Sequence, residues 1–210
     1  MTTEFEKRGG HLGIETRAAD DKRTLIGYAA VFNSDTTIGD YFIERIDPAA
    51  FDKAINGDVR ALVDHDSGRV IGRTKSGTLR LATDDRGLKV EIDVPDTADG
   101  RDLLTLVERG DISGMSFGFR VTRQEWDETG DLPVRTILEV ELYEVSAVAF
   151  PAYDDTTLGL RSLEASRAEA QNIAKDAERR AADAAAARRR IAERLARQEQ
   201  RIRGIPQDAS

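Results

Sequence analysis

From residue 25 to residue 150 the chain alternates β-branched and aromatic residues with polar ones, in short runs broken by Gly, Asp and Asn. This period of two is the signature of half-buried antiparallel strands. It predicts strands over residues 25–32, 41–46, 59–64, 77–82, 88–94, 116–122 and 134–150, the last long enough to bend or carry a bulge. That number of short strands suits a barrel or a sandwich. Two helices interrupt them. One opens with Asp47 as N-cap and Pro48 at the first helical position, and the other covers about residues 97–109 with Gly110 as its stop. Residues 1–22 are polar and contain Gly, which predicts a flexible arm or an edge strand.

The pattern changes near residue 160. Residues 161–210 contain no aromatic residue, no Gly before Gly204 and no Pro before Pro206. Ala, Arg, Glu and Gln dominate, giving strong helix propensity with little to bury. Ile191, Leu195 and Ile202 share a heptad face, but Gln198 interrupts it, so at best a weak coiled-coil seam results. The expected organisation is an arm (1–22), a mainly antiparallel β domain of barrel or sandwich type interrupted by two helices (23–160), and a long helical tail (161–210).

Charge sharpens that division. The tail has 12 Lys plus Arg against 8 Asp plus Glu, a net of +4, and the remaining residues have 19 against 31, a net of −12. An overall charge of −8 in 210 residues makes a non-specific grip on nucleic acid an unfavoured function. Arg188, Arg189 and Arg190 are interspersed with acids along the tail, which weakens that reading further. The absence of cysteine excludes disulfides, thiolate nucleophiles and cysteine-ligated metals. No apolar run approaches the roughly 18 residues that span a bilayer, and the start has no signal-peptide core, so a cytoplasmic product without a membrane partner is expected.

Three segments place reactive residues beside strands. In ALVDHDSGRVIGRT (61–74) an apolar strand ends at His65 between Asp64 and Asp66. Taken alone, such a histidine most often lies in a solvated turn. A metal site is less favoured, because neighbouring side chains on a strand point to opposite faces. In ERGDISGMSFGFRV (108–121) Ser116 stands between Gly114 and Gly118, which leave room for a backbone to approach. Gly and Ser also mark ordinary turns, and the local pattern does not choose strongly between Ser116 and Ser113. In LEVELYEVSAVAFPAYDDT (138–156), alternation from Val140 puts Glu144 on the face of Val140 and Leu142, unless a bulge intervenes. A carboxylate there needs a buried partner, and an imidazole is one of the few that it would also orient.

These segments, in the order His, Ser, Glu and joined by LIGYAAVFN (25–33) and YFIERIDPAAF (41–51), resemble the prohead protease family of tailed phages. The resemblance covers about residues 15–160. It implies an α+β fold that is mainly an antiparallel β-barrel flanked by helices, similar to the herpesvirus assemblin protease, and a serine endopeptidase that cleaves capsid and scaffold proteins in the assembling prohead, in the cytoplasm of the bacterial host. The motif match makes Ser116 the nucleophile and His65 the general base, and Glu144 is the candidate third member by spacing and face. Ala152 and Tyr153, at a turn fixed by Pro151, are candidate oxyanion donors by geometry and analogy. No cofactor and no metal are expected. The partners implied are the major capsid protein and its scaffold segment, with the tail pairing to helical scaffold and removable by self-cleavage; a homodimer is compatible with the resemblance. The competing class is a non-catalytic assembly or scaffolding protein whose barrel positions the tail.

Overall fold

The computed structural model describes residues 5–10, 13–19, 22–150, 156–202 and 204. The chain divides into two units, Met1–Ser162 and Leu163–Ser210.

Two sheets make up the first unit. The smaller has four antiparallel strands in the order β2 (Ile14–Ala19), β3 (Lys22–Val31), β9 (Gly87–Asp93) and β8 (Leu79–Thr83). Its alternation is direct: Leu88, Val90 and Ile92 are fully buried, while Lys89, Glu91 and Asp93 between them are partly exposed. The larger sheet runs β1 (Glu6–Gly10), β10 (Gly114–Asp127), β11 (Val134–Val148), β5 (Phe42–Ile46) and β4 (Thr36–Ile38). β6 (Arg60–Val63) also pairs with β11, and β7 (Asp66–Arg73) pairs with β6. Leu25, Leu79, Val90 and Ile92 from the small sheet join Met115, Phe117, Phe119, Leu142 and Val145 from the large one in a single apolar core. Each large apolar side chain buried there contributes about 1.5–3 kcal/mol.

β11 organises the large sheet. One edge pairs antiparallel with β10 along its whole length, and the other is shared end to end by β5 and β6, both parallel to β11. The link between β5 and β6 is short: Asp47 Oδ1 accepts from the Ala49 amide at 2.9 Å and starts a 3-10 turn at Pro48–Phe51, followed by another at Ala54–Asn56. Phe51 from the first turn packs edge-on against Phe117 of β10, with ring centroids 5.4 Å apart. α1 (Ala98–Arg109) begins at Thr97, whose hydroxyl accepts from the Gly100 amide at 3.2 Å, and ends at Gly110 with φ +81°. That left-handed stop is one that Gly adopts without strain.

Several expectations are revised. The described strands form two sheets and neither closes into a barrel; β5 and β6 run parallel to β11, which alternation of residues cannot reveal. The helix expected after Asp47 is two 3-10 turns, cut short by the Asn56-Gly57 pair. Residues 6–10 and 14–19 form strands, and β1, at the edge of the large sheet, is the edge strand expected as the alternative to a flexible arm for residues 1–22.

The second unit is helical. α2 (Thr156–Ile202) runs through it without a break, and Ile173, Ile191, Leu195 and Ile202 are all exposed. The i,i+4 pair Arg189–Glu193, at 3.0 Å, supports the helix surface. Among the described residues no helix is long and apolar enough to cross a membrane.

Candidate active site

The site starts from a tight hairpin. β6 and β7 are joined through Asp64 and His65, with φ of +52° and +59°. Two successive residues in the left-handed region are what a two-residue hairpin of the primed type demands, and Asp and His tolerate it better than most residues. The Asp64 amide donates to the Ala147 carbonyl at 2.9 Å, and the His65 amide donates to Ser146 Oγ at 3.2 Å, so the turn is tied to β11.

Glu144 reaches this turn because β11 carries a bulge. Gly118 pairs with Glu144 and Phe119 with Leu142, which leaves Tyr143 as the extra residue. Val140 and Leu142 before the bulge, and Val145 and Ala147 after it, all face the core. Glu144 and Ser146 therefore lie on the opposite face, and the apolar-face placement expected from strict alternation is corrected. Gly118 is needed opposite, because a Cβ there would collide with Glu144 Oε1.

His65 Nδ1 is 2.7 Å from Glu144 Oε1, and both side chains are largely buried. A carboxylate oxygen only accepts, so Nδ1 carries the hydrogen, and in the neutral imidazole Nε2 is then the acceptor. The other carboxylate oxygen, Oε2, accepts from Ser146 Oγ at 2.6 Å. Ser146 pairs with Leu62 of β6 on one side and with Ser116 of β10 on the other. Ser116 thus shares the sheet face of Glu144 and Ser146, and directly opposed side chains stand about 4.5–5.5 Å apart at Cβ.

The Ser116 hydroxyl donates to the Arg8 carbonyl at 2.7 Å, and the residue is only 2% exposed. A hydroxyl has one hydrogen to give, and here β1 takes it. The structure therefore brings His65 to Glu144 and Ser116 to β1, with Ser146 between them. Ser113 is exposed and precedes β10. His11, Ala152 and Tyr153 lie outside the described residues.

β1 itself is anchored by charge. Arg8 Nε and Nη2 donate to Glu44 at 2.6 and 3.1 Å, and Arg8 Nη2 also reaches Glu6 at 2.8 Å. Arg135 donates to both oxygens of Glu6 at 2.8 Å and to Glu44 at 2.9 Å. Burial works to raise the Glu6 pKa, but the hydrogen bond and charge of Arg135, together with those of Arg8, hold it below the ordinary value. Two acids and two guanidiniums balance, which is what burial of this many charges requires. Neither this cluster nor the part played by Ser146 is visible in the pattern of residues, although the spacing Glu144-x-Ser146 does put both side chains on one face of a strand.

A carboxylate-oriented histidine with serines on the same sheet face is the equipment of nucleophilic acyl transfer. Comparison with known proteins narrows that class. A model of the caudovirus prohead serine proteases matches residues 12–171, and the chain belongs to this family. It is 34% identical over 99 residues to the prohead protease of Escherichia phage T5, covering 47% of this chain and 44% of that protein. It is 31% identical over 133 residues to the prohead protease of Enterobacteria phage HK97, covering 60% of this chain and 54% of that protein. The chain spans about half the length of these curated relatives. The solved bacteriophage T4 capsid assembly protease is similar with a TM-score of 0.48 and 13% identity, over 69% of this chain and 96% of that one.

Proposed function

We propose that the chain is a serine endopeptidase of prohead maturation, acting on the capsid protein and its scaffold segment inside the assembling prohead in the bacterial cytoplasm. Ser116 is the nucleophile, His65 the general base and Glu144 the residue that orients it. The observation that carries this reading is the 2.7 Å contact of His65 Nδ1 with Glu144 Oε1, on the sheet face that Ser116 shares.

In the reaction, the Ser116 hydroxyl turns from the Arg8 carbonyl toward His65 Nε2. Its oxygen bonds to the scissile carbonyl carbon as its proton passes to Nε2. The C–N bond then breaks, and the leaving amine takes that proton. Water repeats the sequence on the acyl-enzyme and restores the serine. Glu144 keeps Nδ1 protonated and stabilises the imidazolium. Ala152 and Tyr153 remain candidates for donating backbone N–H groups to the oxyanion. α2 acts as a partner-binding segment for helical scaffold, removable by self-cleavage, and a homodimer is part of the same proposal.

The buried, occupied hydroxyl of Ser116 is the observation that favours the second reading, a non-catalytic assembly protein. Co-expression with the capsid protein separates the two. The protease reading expects the capsid protein to be shortened by the wild type and left whole by Ser116→Ala. Unshortened capsid protein with both chains supports the assembly role.

A further inference from the structure

Ser146 is fully buried and holds two parts of the base at once. Its Oγ donates to Glu144 Oε2 at 2.6 Å and accepts from the His65 amide at 3.2 Å, while Glu144 Oε1 meets the His65 ring at 2.7 Å. These contacts form a closed circuit: His65 backbone, Ser146 hydroxyl, Glu144 carboxylate, His65 imidazole. We infer that Ser146 is the positioning residue of this site, fixing both the carboxylate and the backbone of the histidine it orients. The inference rests on the proposed roles of Ser116, His65 and Glu144.

The physical reason lies in what each atom lacks without it. A carboxylate bonded through one oxygen alone can pivot about its terminal torsion, which is broad and soft. The second bond, from Ser146, removes that freedom and satisfies Oε2, which is otherwise a buried acceptor without its strong donor. The His65 amide lies in a left-handed turn, where the backbone is under strain. Its acceptor on β11 keeps that turn from relaxing and carrying the ring away. One hydroxyl, as both donor and acceptor, does both tasks; Ala does neither, and Cys fills the space with a weak donor and acceptor. Ser146 pairs across the strands with Ser116, so an error at this point passes directly to the geometry between base and nucleophile.

The test uses the full chain in two measurements. In peptidase assays on the purified capsid protein, Ser146→Ala is expected to lower kcat about 10- to 100-fold with KM within about threefold, as a misplacement of catalytic groups does. Ser146→Thr, which keeps the hydroxyl, is expected to recover most of it. In NMR of 15N-histidine protein carrying Ser116→Ala, the low-field His65 Nδ1–H signal is expected to be present with Ser146 and to broaden or vanish with Ser146→Ala. If Ser146→Ala fails to fold, Ser146→Cys takes its place in both. Unchanged kcat and an unchanged His65 signal would overturn the inference. So would a complete loss of turnover in both Ser146→Ala and Ser146→Thr with the His65 signal intact, which would make Ser146 the nucleophile. A wild type that cleaves nothing sinks the catalytic reading alone, because the signal still reports whether Ser146 holds the circuit.

Discussion

His65 occupies a backbone conformation with φ +59° that costs most residues of order 1–3 kcal/mol, and the surrounding bonds to Ser146 and Glu144 hold it there. Asn tolerates the same region. His65→Asn is therefore expected to keep the hairpin, with a melting temperature within a few degrees of the wild type, while peptidase turnover falls by at least about a thousandfold. Calorimetry and a cleavage assay on the same preparation check both halves; loss of the fold would show that the ring is a structural prop. Glu144→Gln keeps the shape but offers Nδ1 an amide in place of a carboxylate, and on the order of 10³–10⁴ in kcat should be lost, as for other carboxylates in this role. The sequence pairs these residues through chemistry: a carboxylate set in an apolar strand needs a donor, and His65 is one of two histidines in the chain. The face on which Glu144 lies is not legible, because the Tyr143 bulge switches the parity of β11 in the middle of a run of apolar residues on both faces.

Elements held by charge are the ones that escape a hydrophobic pattern. β1, with the sequence EKRGG, reads as part of a polar arm or an edge strand, yet Glu6 and Arg8 are each about 2% exposed and are matched by Glu44 on β5 and Arg135 on β11. Only the three-dimensional register brings these four together. Removing one member leaves an uncompensated buried charge, so Arg135→Met is expected to destabilise the first unit by about 3–5 kcal/mol, measured by urea unfolding. The pH dependence follows from the depressed Glu6 pKa. The unfolded chain binds the proton more readily, so the contribution is fully present above the ordinary value of 4.5 and is lost as pH falls through the lower folded value. Protection of the β1 amides against hydrogen exchange, relative to the intrinsic rate at each pH, should therefore fall on acidification below about pH 4, ahead of β9, whose core is apolar. An equal fall in both strands would mean that the cluster does not anchor β1. Because the Ser116 hydroxyl donates to the Arg8 carbonyl, loosening of β1 would also free the hydroxyl of the proposed nucleophile.

At the scale of the whole chain, composition changes near residue 160, from a body of −12 with apolar alternation to a tail of +4 without it. The boundary between the two units, after Ser162, falls close to that change. Barrel closure is not legible, since residue alternation gives faces but neither strand order nor direction, and among the described residues neither sheet closes. A chain ending at Ser162 is expected to remain folded, with the same near-ultraviolet circular dichroism and the same peptidase turnover, because the described residues of the apolar core all precede that point. Reduced incorporation into assembling heads is expected at the same time; insolubility of the shortened chain, or undiminished incorporation, would count against the division of labour between body and tail.

In the proposed mechanism Ser116 becomes nucleophilic through His65. A fluorophosphonate that traps activated serines reads this without any assumption about the natural substrate. Peptide mapping by mass spectrometry is expected to find a single adduct on Ser116 in the wild-type chain and none in His65→Asn. An adduct on Ser113 or Ser146, or one on Ser116 that persists undiminished without the imidazole, would contradict it.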